Sequence, residues 1–512
     1  MPKLSLTWHG SWVGLAALLL LAGAVSHNPM REGQIPKVRN VILMISDGFG
    51  PASETLARTY HRTVNNLPDM WQSPLDDILV GTMRTHSASS HITDSAAGAT
   101  AFACGRKTYN DGVGVTPDQA PCGTVLEAAK AAGLRTGLVV TSRITHATPA
   151  AFSAHVVHRD MEDLIAQQQI GDYALGRSVD LLFGGGLCHF LPNTVPDSCR
   201  ADSVDLLARA QNEHRFTPLA SKSALNDLDP EGAQLPLLGL FAGDNMAYEI
   251  DRLDSGQPSL SQMTAKALDI LQAASHDQPE GFFLMVEGSR IDMAAHCNDP
   301  ATQVREVAAY WDTVRTVKNF VNQHPADTLL ISTSDHETGG LSVGVQLNST
   351  YPDYVWYPER LQPVQRSAER VALDLWALPL TARPPVIRER VPGWLGIADP
   401  TEEELTGLAK EFPDWYALAD ALALLISRRA QVGWSTHGHS GVDVNVYAHG
   451  AGAESLRGHR DNTDIGKHIA RVLNLDLQSV TNRLRNEVVY QANVDDPHNP
   501  INWRRTDMGH SF

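Results

Sequence analysis

The sequence predicts an α/β fold: a large, mostly parallel central sheet with helices on both faces and a further region inserted over it. Two observations carry this. Five segments share one design, a short and nearly continuous apolar run that ends abruptly in polar residues or glycine: VRNVILMISDGFG (38–50), GLRTGLVVTSRITH (133–146), VDLLFGGG (179–186), GFFLMVEGSRID (281–292) and TLLISTSDHETGG (328–340). Apolar runs without alternation mark strands buried on both faces, as in a parallel sheet covered by helices. The second observation is what lies between them. GTVLEAAKAAG (123–133), SQMTAKALDILQAAS (261–275) and QVREVAAYWDTVRTVKNFV (303–321) read as helices.

The 512 residues are 43% hydrophobic and 19% charged, with Gly and Pro spread throughout, which suits one large globular domain or two ordinary ones. The formal net charge of −17, without any Lys/Arg cluster, excludes nucleic acid as a partner. An acidic balance in a chain with many Asp and His also fits a charge partly cancelled by bound cations.

At the N-terminus, Lys3 precedes the apolar stretch SWVGLAALLLLAGAV (11–25). It is shorter than the roughly 20 residues of a full membrane span, and Ala22-Gly23-Ala24 suits a cleavage site. Residues 1–30 therefore read as a signal peptide or an uncleaved signal-anchor with its linker, and either sends the rest of the chain across a membrane. Cysteine usage agrees. Cys188 and Cys199 bracket CHFLPNTVPDSC, Cys104 and Cys122 bracket another short loop, and Cys297 is left over. Such loops suit disulfides in an oxidising lumen, with the pairing left open. Asn348-Ser349-Thr350 is a sequon compatible with glycosylation. The stretch 351–433 is rich in Trp, Pro and Arg without clear strand–helix alternation and reads as an insertion over the sheet. The tail, 476–512, is polar and receives no function.

The residues just past each strand are chemically informative, because ligands in open α/β sheets bind outside the carboxyl ends of the strands. Asp47 ends the first run, His146 and Thr148 come after the second, Glu287 and Asp292 after the fourth, and Asp335-His336 ends the last. Asp292 and His296 stand at i and i+4, so a helix would present both on one face. His437 and His439 come just before another strand, in THGHSGVDVNVYAHG (436–450). Carboxylate and imidazole are ligands for a borderline-soft ion such as zinc. Asp47, Glu287, Asp292 and Asp335 could not share one sheet edge as anions without cations, since like charges raise each other's pKa.

HITDSAAGATAFACGRKT (91–108) puts Asp94-Ser95 before a run of Ala and Gly. A serine there sits at a helix N-terminus, where free N–H groups and the dipole favour an anion, and small residues let the helix pack tightly under the site. In isolation an N-capping role would explain such a serine. Metal ligands beside it favour chemistry.

Together TDSAAGATAFACGRKTYN, ISDGFG, THATPAAFSAH, VEGSRIDMAAH, STSDHETGG and GHSGVDV resemble alkaline phosphatases, the fungal vacuolar type in particular. The resemblance implies a catalytic domain over 38–475, with 351–433 as a crown-like insertion. It also implies a hydrolase acting on phosphate monoesters and phosphoproteins at alkaline pH, with two zinc ions and one magnesium ion per subunit. Ser95 matches the nucleophile that becomes phosphoserine, Asp94 the acid that orients the phosphate-binding arginine, and Arg159 that arginine. One zinc would be held by Asp292, His296 and His439, the other by Asp47, Asp335 and His336, and magnesium by Asp47, Thr148 and Glu287. His437 matches no ligand. A homodimer, in the vacuolar or lumenal membrane of the secretory pathway or secreted, is implied as well.

Two positions depart from the bacterial pattern: His146 stands where that branch has Asp, and Met293 where it has Lys. Both would tune metal and phosphate binding from outside the ligand set. A sulfatase of the same superfamily is disfavoured because Ser95 lacks a Cys/Ser-x-Pro-x-Arg setting, and a phosphodiesterase because Arg159 with three metals suits a dianionic monoester. A catalytically dead metal-stabilised binding protein is disfavoured because every matched position is filled.

Overall fold

The computed structural model describes residues 38–276 and 280–484. The segment 1–30 and the tail beyond 484 lie outside the described residues.

The strands in chain order are β1 (Asn40–Ile45), β2 (Leu79–Arg84), β3 (Arg135–Arg143), β4 (Leu181–Gly185), β5 (Thr217–Leu219), β6 (Leu237–Leu240), β7 (Phe282–Glu287), β8 (Thr328–Thr333), β9 (Glu337–Thr338), β10 (His439–Ser440), β11 (Val444–Gly450) and β12 (Gly458–Asp461). Ten of them form one sheet in the order β12-β2-β11-β8-β1-β7-β3-β4-β6-β5. The five predicted strands are its five consecutive members β8, β1, β7, β3 and β4, all parallel. Only β11 opposes this direction, pairing antiparallel with both β8 and β2.

Alternate residues of each central strand point into opposite cores. Phe282, Leu284 and Val286 join one core with the helices Leu260–Ala274 and Pro300–Gln323. From the other face of the same strand Phe283 meets Phe152, on the helix Ala147–Ser153, with ring centroids 6.0 Å apart. Burial on both faces is the reason these strands read as unbroken apolar runs. The predicted helices start at real caps. Thr124 and Glu127 form a capping box before Val125–Ala131, as Ser259 and Gln262 do before Leu260–Ala274. Asp299 accepts from the N–H groups of Ala301 and Thr302, with Pro300 in the first turn. The sheet edges are short and contain Pro218 on one side and the polar, half-exposed GHRD of β12 on the other, which blunts pairing with other chains.

Register places the functional strand ends together. Ile45 stands opposite Glu287 of β7 and Thr333 of β8, so Asp47, Glu287 and Asp335 leave the sheet at one edge. After β8 the chain makes β9, enters the insertion and returns as β10. The two short strands pair antiparallel, with His439 opposite Thr338. Between them 351–433 is helical, with Ala368–Trp376, Arg383–Trp394, Glu402–Leu408 and Trp415–Ala430. Its Val371, Leu375, Leu418 and Leu422 join the core that holds Val304 and Val307.

Cys104 pairs with Cys122 and Cys188 with Cys199, while Cys297 is free and buried. The first residues of the expected tail fold onto the domain. Leu477–Leu484 is a helix whose Val480 and Leu484 bury against Ala128, and Gly123 N–H donates to Thr481 Oγ1 at 2.9 Å.

Candidate active site

Ser95 opens the helix Ser95–Cys104, capped by the Asp94 carboxylate, which accepts from Ala97 N–H at 2.9 Å. Every residue of this helix is buried, so its small side chains are a packing requirement. A Cβ on Gly98 would lie 2.9 Å from Asp335 Cβ, and one on Gly466 of the neighbouring helix would lie 2.3 Å from the Phe102 carbonyl oxygen. Backbone-close packing thus sets the serine against the end of β8. Ser95 Oγ lies 3.1 Å from His336 Nε2.

The second carboxylate oxygen of Asp94 accepts from Arg159 Nη1 at 3.2 Å and from Asp111 N–H at 3.0 Å. Arg159 Nη2 donates to His146 Nε2 at 3.1 Å; a guanidinium only donates, so that ring nitrogen accepts. Burial first, then the cations of Arg159 and Arg143, hold His146 well below the ordinary histidine range. It is neutral here.

Three groups of ligand-type side chains, each with atoms within 4.8 Å of one another, adjoin one another at this edge: Asp292, His336 and His439; Asp47, Asp335 and His336; and Asp47, His146 and Glu287. His336 joins the first to the second, and Asp47 the second to the third. His296 belongs to the same cluster, with Nε2 3.3 Å from Asp292 Oδ2 and 3.1 Å from His439 Nε2. The cluster is electrostatically unbalanced as a protein alone. Both oxygens of Asp47, Oδ2 of Asp335, Oε1 of Glu287, Oγ1 of Thr148 and Nδ1 of His146 are buried without a hydrogen-bond partner. Burial and then neighbouring carboxylates push Asp47 well above its ordinary value and Asp335 up to about 8, and burial pushes Glu287 up to about 7. Asp292 behaves oppositely. Burial works against its charge, but His296, His439 and His336 outweigh it and hold the carboxyl well below the carboxylate range.

The three histidines are aimed by bonds at Nδ1. His439 Nδ1 donates to the Thr93 carbonyl at 2.7 Å, and His296 Nδ1 donates to the His437 carbonyl. His336 Nδ1 lies 3.2 Å from Thr338 Oγ1, whose proton goes to Asp292 Oδ1. Each ring therefore turns Nε2 inward. This is the second row that metal-binding histidines need, and Thr93, Thr338 and His437 were not picked from sequence as its members. Thr338 had a signal in its position two residues after His336; the two carbonyls had none.

All the residues picked as ligands or as catalytic meet at this edge. His146 comes closer than expected: a ring nitrogen sits among the Asp47 and Glu287 oxygens rather than behind them. Met293 is buried with Tyr248 and Ala294, and its sulfur accepts from Arg290 Nη1 at 3.0 Å. A fourth group, Cys188, His189 and Cys199, cannot ligate through sulfur because the two cysteines are bonded to each other; His189 is held instead between Glu162 and Asp163.

A family model described as alkaline phosphatase matches residues 38–475. The chain is 45% identical over 491 residues to an alkaline phosphatase of Schizosaccharomyces pombe, covering 94% of this chain and 91% of that protein. Among solved structures, the cold-active alkaline phosphatase of the psychrophile Shewanella sp. matches with a TM-score of 0.72 and 33% identity, over 85% of this chain and 99% of that one. TAB5 alkaline phosphatase, solved as a histidine-to-aspartate variant with Mg bound in its M3 site, matches with a TM-score of 0.60 and 27% identity, over 86% of this chain and 100% of that one. Likeness of this extent covers the sheet, the insertion and the ligand cluster together: the chain belongs to the alkaline phosphatase family.

Proposed function

We infer that this metal-dependent phosphomonoester hydrolase turns over at alkaline pH through a phosphoserine formed on Ser95. The observation that carries the reading is the row of buried, unpartnered oxygens on Asp47, Asp335, Glu287 and Thr148, in one cluster with a histidine 3.1 Å from a helix-terminal serine. Unpaired buried carboxylates are costly unless cations meet them, so the residues fit metal ions. The assignment is one zinc on Asp292, His296 and His439, a second on Asp47, Asp335 and His336, and magnesium on Asp47, Thr148 and Glu287. When bound, such ions supply Lewis-acid charge that lowers the serine's pKa, activates water and offsets charge on the leaving oxygen.

The chain's own groups do the rest. Ser95 Oγ attacks phosphorus at the helix N-terminus, where backbone N–H groups face the anion. The ester P–O bond breaks, the alcohol leaves, and water then displaces Ser95 from phosphorus to release inorganic phosphate. Arg159 takes two phosphoryl oxygens with its planar fork, while Asp94 holds it from one side and His146 from another. Small phosphate monoesters are the substrates. The two disulfides and the apolar 11–25 stretch support a lumenal, vacuolar-membrane or extracellular location, and family membership supports a homodimer.

Comparing a chromogenic monoester with a diester and a sulfate ester tests the class, with the monoester expected to be strongly preferred. Ser95→Ala tests the mechanism: it is expected to fold and bind metal, to form no phosphoenzyme, and to keep only slow hydrolysis by activated water. Trapping labelled phosphate on the Ser95→Ala protein at the wild-type level would contradict the assignment.

A further inference from the structure

The geometry points to the inserted region, 351–433, and the segment that follows it into β10 as a clamp that sets His296, with Tyr416 of the insertion and His437 just beyond it as the positioning residues. His296 is the last residue of the short helix Arg290–His296, which also carries Asp292. Seven residues hold little helical stability of their own, so the end of this helix takes its position from what bonds to it. Its final carbonyl is bonded twice from outside. The Tyr416 hydroxyl donates to His296 O at 2.8 Å, and His437 Nδ1 donates to the same oxygen at 2.8 Å. The contact is reciprocal, because His296 Nδ1 donates to the His437 carbonyl. Both carbonyls can only accept, so both Nδ1 atoms carry protons and His296 keeps Nε2 for the cluster.

Further contacts tie the same segment to the insertion. Arg290, at the other end of the helix, pairs with Glu369 at 3.0 Å and lies 3.6 Å above the Tyr248 ring, whose hydroxyl donates to the same Glu369. Just beyond the helix, Ser427 donates to the Asn298 carbonyl at 3.1 Å, and Ala368 N–H donates to Asp299 Oδ2 at 2.9 Å. Glu369 and Ala368 belong to the insertion helix Ala368–Trp376, Tyr416 and Ser427 to Trp415–Ala430. A region that only covered the sheet would have no need to bond a ligand-bearing segment at both ends, through two of its carbonyls and through the side chains of Arg290 and Asp299.

The inference rests on reading His296 as a zinc ligand. Partners that orient a ligand alter metal affinity without touching metal, by about 10–100-fold when removed. The test is a zinc titration of the metal-stripped full chain against a competing chelator, for wild type, His296→Ala, Tyr416→Phe, His437→Ala and His437→Asn. His296→Ala should lose one tight zinc equivalent. Tyr416→Phe and His437→Ala should weaken that same equivalent about tenfold, with an unchanged melting temperature of the metal-free protein. His437→Asn, whose side-chain amide can replace the Nδ1 proton, should recover affinity. Cobalt(II) loaded in place of zinc should show an altered visible spectrum in Tyr416→Phe, which loss of generic packing would not produce. Wild-type zinc affinity in both Tyr416→Phe and His437→Ala, beside a lost equivalent in His296→Ala, overturns the clamp. Wild-type binding in His296→Ala instead overturns the ligand assignment, and the clamp's role falls with it. If Tyr416→Phe fails to fold, the His437→Ala and His437→Asn pair decides.

Discussion

His146 shows how one side chain serves two partners. Its Nε2 accepts from Arg159, and a ring nitrogen lies among the oxygens of Asp47 and Glu287. A neutral imidazole there suits zinc, whereas a carboxylate would suit hard, water-keeping magnesium. His146→Asp is therefore expected to lower the magnesium concentration that half-activates the zinc-loaded enzyme by about tenfold, the scale on which ligand surroundings act. The new carboxylate would also pair with Arg159 and draw it from phosphate, so inhibition by inorganic phosphate should weaken. Following activity and phosphate inhibition as magnesium is added to zinc-restored enzyme checks both; an unmoved magnesium midpoint would remove His146 from that position. At this scale the acids at strand ends were legible, because a carboxylate after a buried apolar run has few structural reasons to be there. His437 was not. Its contact to the His296 ring is made by a backbone carbonyl, and any residue type could supply one.

Among the elements, legibility followed burial. β8, β1, β7, β3 and β4 sit side by side in the middle of the sheet, and double burial wrote them as apolar runs. The three-residue β5, with Pro218, and β12, with its Gly-His-Arg-Asp sequence, sit at the edges and bury little, so no pattern announced them. The helix Ser95–Cys104 was legible for the opposite reason: its lack of bulk told of close approach. Close approach there should reverse the usual effect of helix propensity. Gly→Ala within a helix ordinarily stabilises by roughly 0.5–1 kcal/mol. Gly407, in the helix Glu402–Leu408, has nothing within 4 Å of where its Cβ would stand, so Gly407→Ala should raise the melting temperature. Gly98→Ala should lower it, by about 1–3 kcal/mol of overpacking, since Asp335 Cβ stands only 2.9 Å away. It should also weaken zinc by moving Asp335. Thermal unfolding of the two variants side by side, with equal gains in both, would show that the helix does not press on the site.

At the scale of the whole molecule, stability and metal loading are coupled through the same carboxyl groups. In the metal-free chain Asp335 keeps its proton up to about 8 and Glu287 up to about 7, whereas unfolded carboxyls lose theirs near about 4. The folded state then binds more protons than the unfolded one, and its stability falls as pH rises, by at most about 1.4 kcal/mol per pH unit for each such group. Asp292, held low, adds stability with rising pH only up to the ordinary carboxylate value, and His146 and His336, also held low, add it only up to about pH 6.5. Between pH 6.5 and 8 the raised acids therefore decide the sign: metal-free protein should melt at progressively lower temperature. Metal ions replace those protons, so loading at pH 7 should release protons and flatten the slope. The slope should not vanish, because Glu54 and Glu306, buried away from the ligand set, stay raised to about 7 and about 8. Thermal scans across this window with and without zinc and magnesium, paired with proton-release titrations, measure both effects. Equal slopes in the two forms, with no protons released, would mean that Asp335 and Glu287 are already charged in the empty protein, and that some other positive group balances them.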